Sequence, residues 1–349
     1  MSTDRVFYAD LLRVISMAAV VVLHTPLVIL CNFGKIPLSW WQTANIYQSA
    51  VRFAVPVFIM LSGTMILNDS KNRSIRTVWI KRIPRIGFPL LFFSVLYLAV
   101  KLPVDDFIGI PALVRSVASI FNGPVYFHLW YLYMLAGLYL MTPIIISFVQ
   151  GASRSLLLYS LILWAVFGLS NPLMAQWFNY RIPHAPLEFC GYSGYFVLGY
   201  YLHHFKIELN RWKVMLILLF VVSGIACTAY GTFVLTSRDN RLNQFYYEYL
   251  TLHVAAVSTG IFVLLRNTDF HFLTRHIRLK QWVTFLSQTS FGVYLIHILV
   301  LEVLSIRFHI DSSMTHPALA IPFTALVAYC LSVAITALLQ KLPFHRYIV

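Results

Sequence analysis

Runs of about twenty mostly apolar residues recur from one end of this 349-residue chain to the other, and about twenty helical residues are what it takes to cross a hydrocarbon core of ~30 Å. A composition of 59% hydrophobic and 11% charged residues, with a mean hydropathy of +0.75, excludes an ordinary water-soluble protein. The chain is therefore expected to be all-α, a polytopic transmembrane bundle of about ten helices, with residues 1–349 as one integral-membrane domain. Spans are expected near 11–30, 48–67, 86–101, 128–149, 155–170, 189–202, 213–235, 249–266, 284–304 and 317–340. Pro56, Pro143 and Pro322 fall within or near them, where neighbouring groups must satisfy the freed backbone.

Basic residues set the orientation, because cytoplasmic loops carry the excess of Lys and Arg. With the N-terminus inside, seventeen of the 26 fall on the cytoplasmic side and seven outside, and Arg13 and Arg52 lie within spans. Both termini are then cytoplasmic and the number of spans is even. The same asymmetry accounts for the formal charge of +14, so membrane lipid is the expected partner of these cations and nucleic acid is not. The first apolar run carries Arg13 and His24 and lacks a small-residue cleavage site, so it is read as a retained span. The four cysteines form no CxxC pair, and neither an HExxH motif nor another clustered ligand set is present. No metal is expected.

Ionisable residues inside spans are costly and point to function. In YADLLRVISMAAVVVLHT, the eleven steps from Arg13 to His24 make three turns plus about 20°, placing both on one face about 16 Å apart, with Asp10 close to Arg13. An arginine at the inner end suits a phosphate-bearing donor, and an imidazole deeper in the span suits proton transfer. Arg13 snorkelling to the surface and His24 bonding a neighbouring helix is the bland alternative. Arg52, at the outer end of the second span, either binds an anionic acceptor or pairs with a carboxylate, while Ser62 and Gly63 suit helix packing.

The loop RTVWIKRIPRIG carries Lys81, Arg82 and Arg85. Its cations serve topology and headgroup contact, and Arg82 and Arg85 at i, i+3 also suit a pyrophosphate or 3′-phosphate. In YFHLWYLYML, Trp130, Tyr131 and Tyr133 suit an interfacial belt, while His128 and its aromatic neighbours also suit a sugar site. Ser290, Tyr294 and His297 form a polar stripe at i, i+4, i+7, with Glu302 off that stripe near the outer end. CGYSGY at 190–195 lacks the second glycine of a GxSxG elbow, so no serine hydrolase is indicated.

Taken together, Arg13-x10-His24, the stretch Arg52 to Gly63, Arg82-x-x-Arg85, the FxHLW segment Phe127 to Trp130 and the segment Ser290 to His297 resemble the membrane-bound acyltransferase-3 family, in its enterobacterial-common-antigen O-acetyltransferase branch. Thr64 stands where that family commonly has an aromatic residue. The resemblance implies residence in a bacterial inner membrane, acetyl-CoA arriving from the cytoplasm, and a surface-glycan or lipid-linked sugar hydroxyl as acceptor. It gives His24 the catalytic role, with Arg13 and Asp10 of the same span grouped with it, and makes Arg13 a candidate for holding the donor. Arg82, Arg85 and Lys81 become donor-binding candidates, and Arg52, His128, Trp130, Tyr294, His297 and Glu302 acceptor-binding candidates. With no appended soluble domain in view, the membrane portion is expected to complete the transfer. A glycan exporter, or a transferase of another acyl group such as succinyl, is the alternative reading.

Overall fold

The computed structural model describes residues 7–101, 122–169 and 184–343, together with positions 118, 120, 176, 345 and 348; at 101 and 184–190 it describes the backbone alone. Arg5, Arg115, Arg181 and Arg346, which enter the charge count, and Ser170, the expected end of the fifth span, lie outside the described residues.

Every regular element among the described residues is helical. The principal helices are α1 (Phe7–His24), α2 (Leu38–Ala50), α3 (Ala54–Ile66), α4 (Ile83–Lys101), α5 (Trp130–Gly151), α6 (Arg154–Leu163), α7 (His184–His204), α8 (Arg211–Asp239), α9 (Leu252–Asn267), α10 (Ile277–Phe308) and α11 (Pro317–Leu339). Among the described residues, eight segments are long and apolar enough to cross a membrane: Phe7–Leu30, Leu38–Ile66, Ile75–Val100, Phe127–Gly151, Arg211–Asp239, Phe245–Asn267, Ile277–Phe308 and Pro317–Leu339. The expected span at 155–170 corresponds to a shorter apolar stretch, Arg154–Gly168, whose last turn is π-helical. The one expected at 189–202 falls inside α7, whose 21 residues are long enough to cross but include several tyrosines, glycines and histidines.

Three prolines show how this bundle handles freed backbone groups. Pro56 stands in the first turn of α3, where a missing N–H costs least. The second span is broken by a turn at 51–53, and Arg52 sits at that break. Pro322 frees the carbonyl of Ala318, which accepts a hydrogen bond from the Tyr47 hydroxyl at 3.0 Å. Within α5, Pro143 interrupts the ladder at Tyr139, and Thr142 and Ser147 turn their hydroxyls back to the carbonyls of Leu138 and Pro143.

Helix α7 is held by α3 at a close crossing. A methyl group on Gly63 would overlap the carbonyl oxygen of Phe196, and one on Gly199 would overlap that of Met60. Each glycine thus faces the carbonyl three residues before the other, the small-residue approach that replaces hydrophobic driving force in lipid. The Thr64 hydroxyl donates across the same crossing to the Gly199 carbonyl at 2.9 Å.

Contacts at one end show how the chain begins and finishes. The Tyr8 hydroxyl lies 2.6 Å from His203 Nδ1, and Arg266 donates to the His203 carbonyl at 3.2 Å. Arg13 donates to Ser287 at 3.0 Å, and Gln340 to the Gln288 carbonyl at 3.3 Å. The start of α1, the ends of α7, α9 and α11, and the first half of α10 therefore share one end, so the described chain starts and stops on the same side. That end also receives Arg82 and Arg85.

Candidate functional site

Two adjoining cavities lie inside the bundle. The larger, about 250 Å³, is lined by Arg13, Arg82, Arg85, Ser62, Tyr139 and Ser290 among others. The smaller, about 40 Å³, is lined by Val20, His24, Val55, His128, Trp130 and Tyr249. Phe58, Tyr131 and Tyr294 line both and so form the partition between them. The helical period that puts Arg13 and His24 on one face of α1 therefore places one in each chamber.

The guanidinium groups of the large chamber are positioned by neighbours. Asp10, 3% exposed, accepts from the Ser287 hydroxyl at 2.6 Å; that hydroxyl accepts from Arg13 at 3.0 Å, and the Arg13–Asp10 ion pair spans 3.6 Å. Asp10 is thus packed behind Arg13, about four turns along the axis from His24. Arg82 donates from Nε to Asn72 at 2.9 Å and pairs with Asp69 at 3.6 Å, and Asn72 is itself anchored on the Ile66 carbonyl at 2.9 Å. A π-helical turn over Val78–Arg82 leads into α4 just before Arg85. Lys81 is exposed and lines neither cavity.

Three imidazoles gather around the small chamber. The His297 ring centroid lies 5.2 Å from that of His24 and 5.5 Å from that of His128. His297 Nδ1 lies 2.7 Å from the Tyr294 carbonyl oxygen, so it carries the proton and donates. The Tyr294 hydroxyl donates in turn to the His128 carbonyl, tying α10 to the turn that precedes α5. Among the described residues, His24 Nδ1 and His297 Nε2 are buried and have no hydrogen-bond partner. The stripe Ser290, Tyr294, His297 consequently runs from the large chamber, through the partition, to the histidines.

An aromatic group flanks the small chamber, away from Arg13, Arg82 and Arg85. Trp130 stacks on Tyr249 with centroids 5.8 Å apart and a 19° interplanar angle. Arg52 donates to the Tyr249 hydroxyl at 3.3 Å and lies 4.3 Å from the Tyr247 ring centroid. The Tyr195 hydroxyl pins the Tyr249 backbone at 2.6 Å. Glu302 lies five residues beyond His297 on α10 and lines neither cavity.

Sequence reasoning missed Phe58, Tyr139 and Tyr249, and assigned Tyr131 to an interfacial belt although it stands in the partition. Tyr133 bonds backbone carbonyls of Ile120 and Gly123. Ser62, read as a packing residue, lines the large chamber, whereas Gly63 does pack. Among the described residues no group of three or more His, Cys, Asp or Glu is placed to hold a metal.

Chemically, the arrangement offers cations for an anionic group in one cavity, an aromatic wall shared by both, and imidazoles around the other. Residues 6–337 match a protein family described as an acyltransferase domain. No curated protein and no solved structure matches the chain.

Proposed function

The chain belongs to the acyltransferase-3 family, and from that premise we propose that it is a membrane O-acetyltransferase moving acetyl from cytoplasmic acetyl-CoA to a sugar hydroxyl of a surface polysaccharide or its lipid-linked precursor. The observation that carries this reading is the pair of chambers joined at Phe58, Tyr131 and Tyr294, one lined by three guanidinium groups and the other by His24. Arg82, Arg85 and Arg13 hold the donor's phosphates, since planar guanidinium groups bond phosphate oxygens in pairs. The pantetheine arm passes the aromatic partition and brings the thioester carbonyl to His24. The acceptor hydroxyl enters from the opposite end, beside Trp130 and Tyr249.

His24 removes the hydroxyl proton as the oxygen attacks the thioester carbonyl, and the proton then goes to the departing CoA thiolate. An acetyl-histidine relay uses the same residues. Asp10 serves this scheme by holding Arg13 and takes no proton from the acceptor. Residence in a bacterial inner membrane, and kinship with the enterobacterial-common-antigen O-acetyltransferases, form part of this proposal. An exporter would need a polar route wide enough for a glycan; the partition of three aromatic side chains suits a thin arm instead. A transferase of another acyl group, such as succinyl, would use the same residues, and the donor offered in the assay separates the two.

The test is radiolabelled acetyl transfer from acetyl-CoA in membranes holding wild type or His24→Ala, with glycan label and protein label scored separately. Glycan label with wild type only, together with unchanged CoA binding by the variant, is the expected result. Equal turnover by His24→Ala would remove His24 from the chemistry, and an absence of CoA binding and transfer with every acceptor would favour an exporter.

A further inference from the structure

The buried nitrogens between α1 and α10 carry the mechanism one residue further. His297 Nδ1 is committed to the Tyr294 carbonyl at 2.7 Å, which leaves Nε2 with the ring's lone pair. That Nε2 and the Nδ1 of His24 are both buried and without a hydrogen-bond partner among the described residues. The two ring centroids are 5.2 Å apart, close to the roughly 5 Å expected when two imidazoles share an N–H···N bond of about 3 Å.

We infer that His297 is a positioning residue for His24: its Nε2 accepts a hydrogen bond from His24 Nδ1–H, so that His24 presents the lone pair of Nε2 to the acceptor hydroxyl. Resting on the acetyltransferase reading above, this gives an imidazole the part a carboxylate plays in a nucleophile–base–orienting-group triad. The step is balanced. The hydroxyl proton moves to His24 Nε2, a C–O bond forms at the acetyl carbon, the C–S bond breaks, and the proton on His24 goes to the thiolate sulfur. His297 keeps its own proton on Nδ1 throughout and shares the charge that His24 carries in between. His128, Tyr131, Tyr249 and Tyr294 line the small chamber with His24, and the His128 ring centroid lies 5.5 Å from that of His297.

His297 lines neither cavity, so its loss is expected to spare donor binding. In membranes containing the full chain, His297→Leu should lower kcat about 100-fold while the acetyl-CoA KM stays within about twofold. His297→Gln, whose amide oxygen reaches the position of Nε2, should recover at least about tenfold of that loss. His297→Asn ends at the level of Nδ1 and should recover none. Near wild-type kcat in His297→Leu overturns the inference, as do equal rates for Gln and Asn. If His297→Leu fails to assemble, the comparison of Gln with Asn decides the matter alone. Should His24→Ala turn over normally, the reading of His24 fails as well; if His24→Ala is inactive and His297→Leu active, only this inference fails.

Discussion

The two chambers differ in how their polar groups are spent. Arg13 and Arg82 are held in place by protein partners, Asp10 with Ser287 and Asn72 with Asp69. Around His24 the ring nitrogens that matter have no such partner among the described residues, although burying a polar group without a bond costs on the order of 1–3 kcal/mol. A binding region is improved by being assembled in advance, because the guanidiniums then lose little freedom when an anion arrives. A reacting centre has to keep lone pairs and protons available to groups that change during the reaction.

Overlapping the two backbones at the α3–α7 crossing should erase this division altogether. Gly199→Ala drives a methyl group into the Met60 carbonyl, and α3 supplies Phe58 and Ser62 to the cavities. It should abolish transfer by loss of assembled protein, seen as a drop in the detergent-solubilised melting temperature; a normal melt with normal activity would show that the crossing does not set the chambers. Next in size is the contrast along α1. His24→Ala should lower kcat by about 10³-fold with little change in donor KM, whereas Arg13→Ala should raise donor KM by roughly 10–100-fold with a smaller change in kcat. Steady-state kinetics in membranes reads both, and an exchange of the two signatures would reverse the assignment of the chambers.

A smaller effect is expected behind the arginine. Asp10→Asn keeps an acceptor for Ser287 and removes the charge that pairs with Arg13, so donor KM should rise about threefold to tenfold. No change in KM would mean that Ser287 alone fixes the guanidinium.

Much of the bundle was legible because the spacing of apolar runs reports the solvent directly. Boundaries were less so where polar residues are buried by other helices. The second span was expected at 48–67, yet its helical segment begins at Leu38, because Asn45, Gln48 and Ser49 on α2 are buried against neighbours. The third, expected at 86–101, begins at Ile75, since basic residues continue the helix beyond the apolar run. Within the site, the spacing of Arg13 and His24 and the stripe from Ser290 to His297 were visible as periodicity on single helices. Tyr249, Tyr139 and Phe58 were not, because an aromatic residue lining a chamber has no distinguishing pattern along its own helix. The approach of the His24 and His297 rings, 5.2 Å between centroids, brings together residues 273 positions apart and arises only once α1 packs on α10.

The partition of Phe58, Tyr131 and Tyr294 has a consequence for the membrane itself. If donor and acceptor enter the two chambers from opposite ends, as proposed, the insulation there is thinned, and each unit charge crossing a potential of 100 mV dissipates about 2.3 kcal/mol of stored energy. The three aromatic side chains shared by both chambers would supply a dry layer between them. An acyl group on a flexible arm passes such a layer at little electrostatic cost, while hydrated ions are held back, so chemistry between two compartments need not discharge the gradient that separates them.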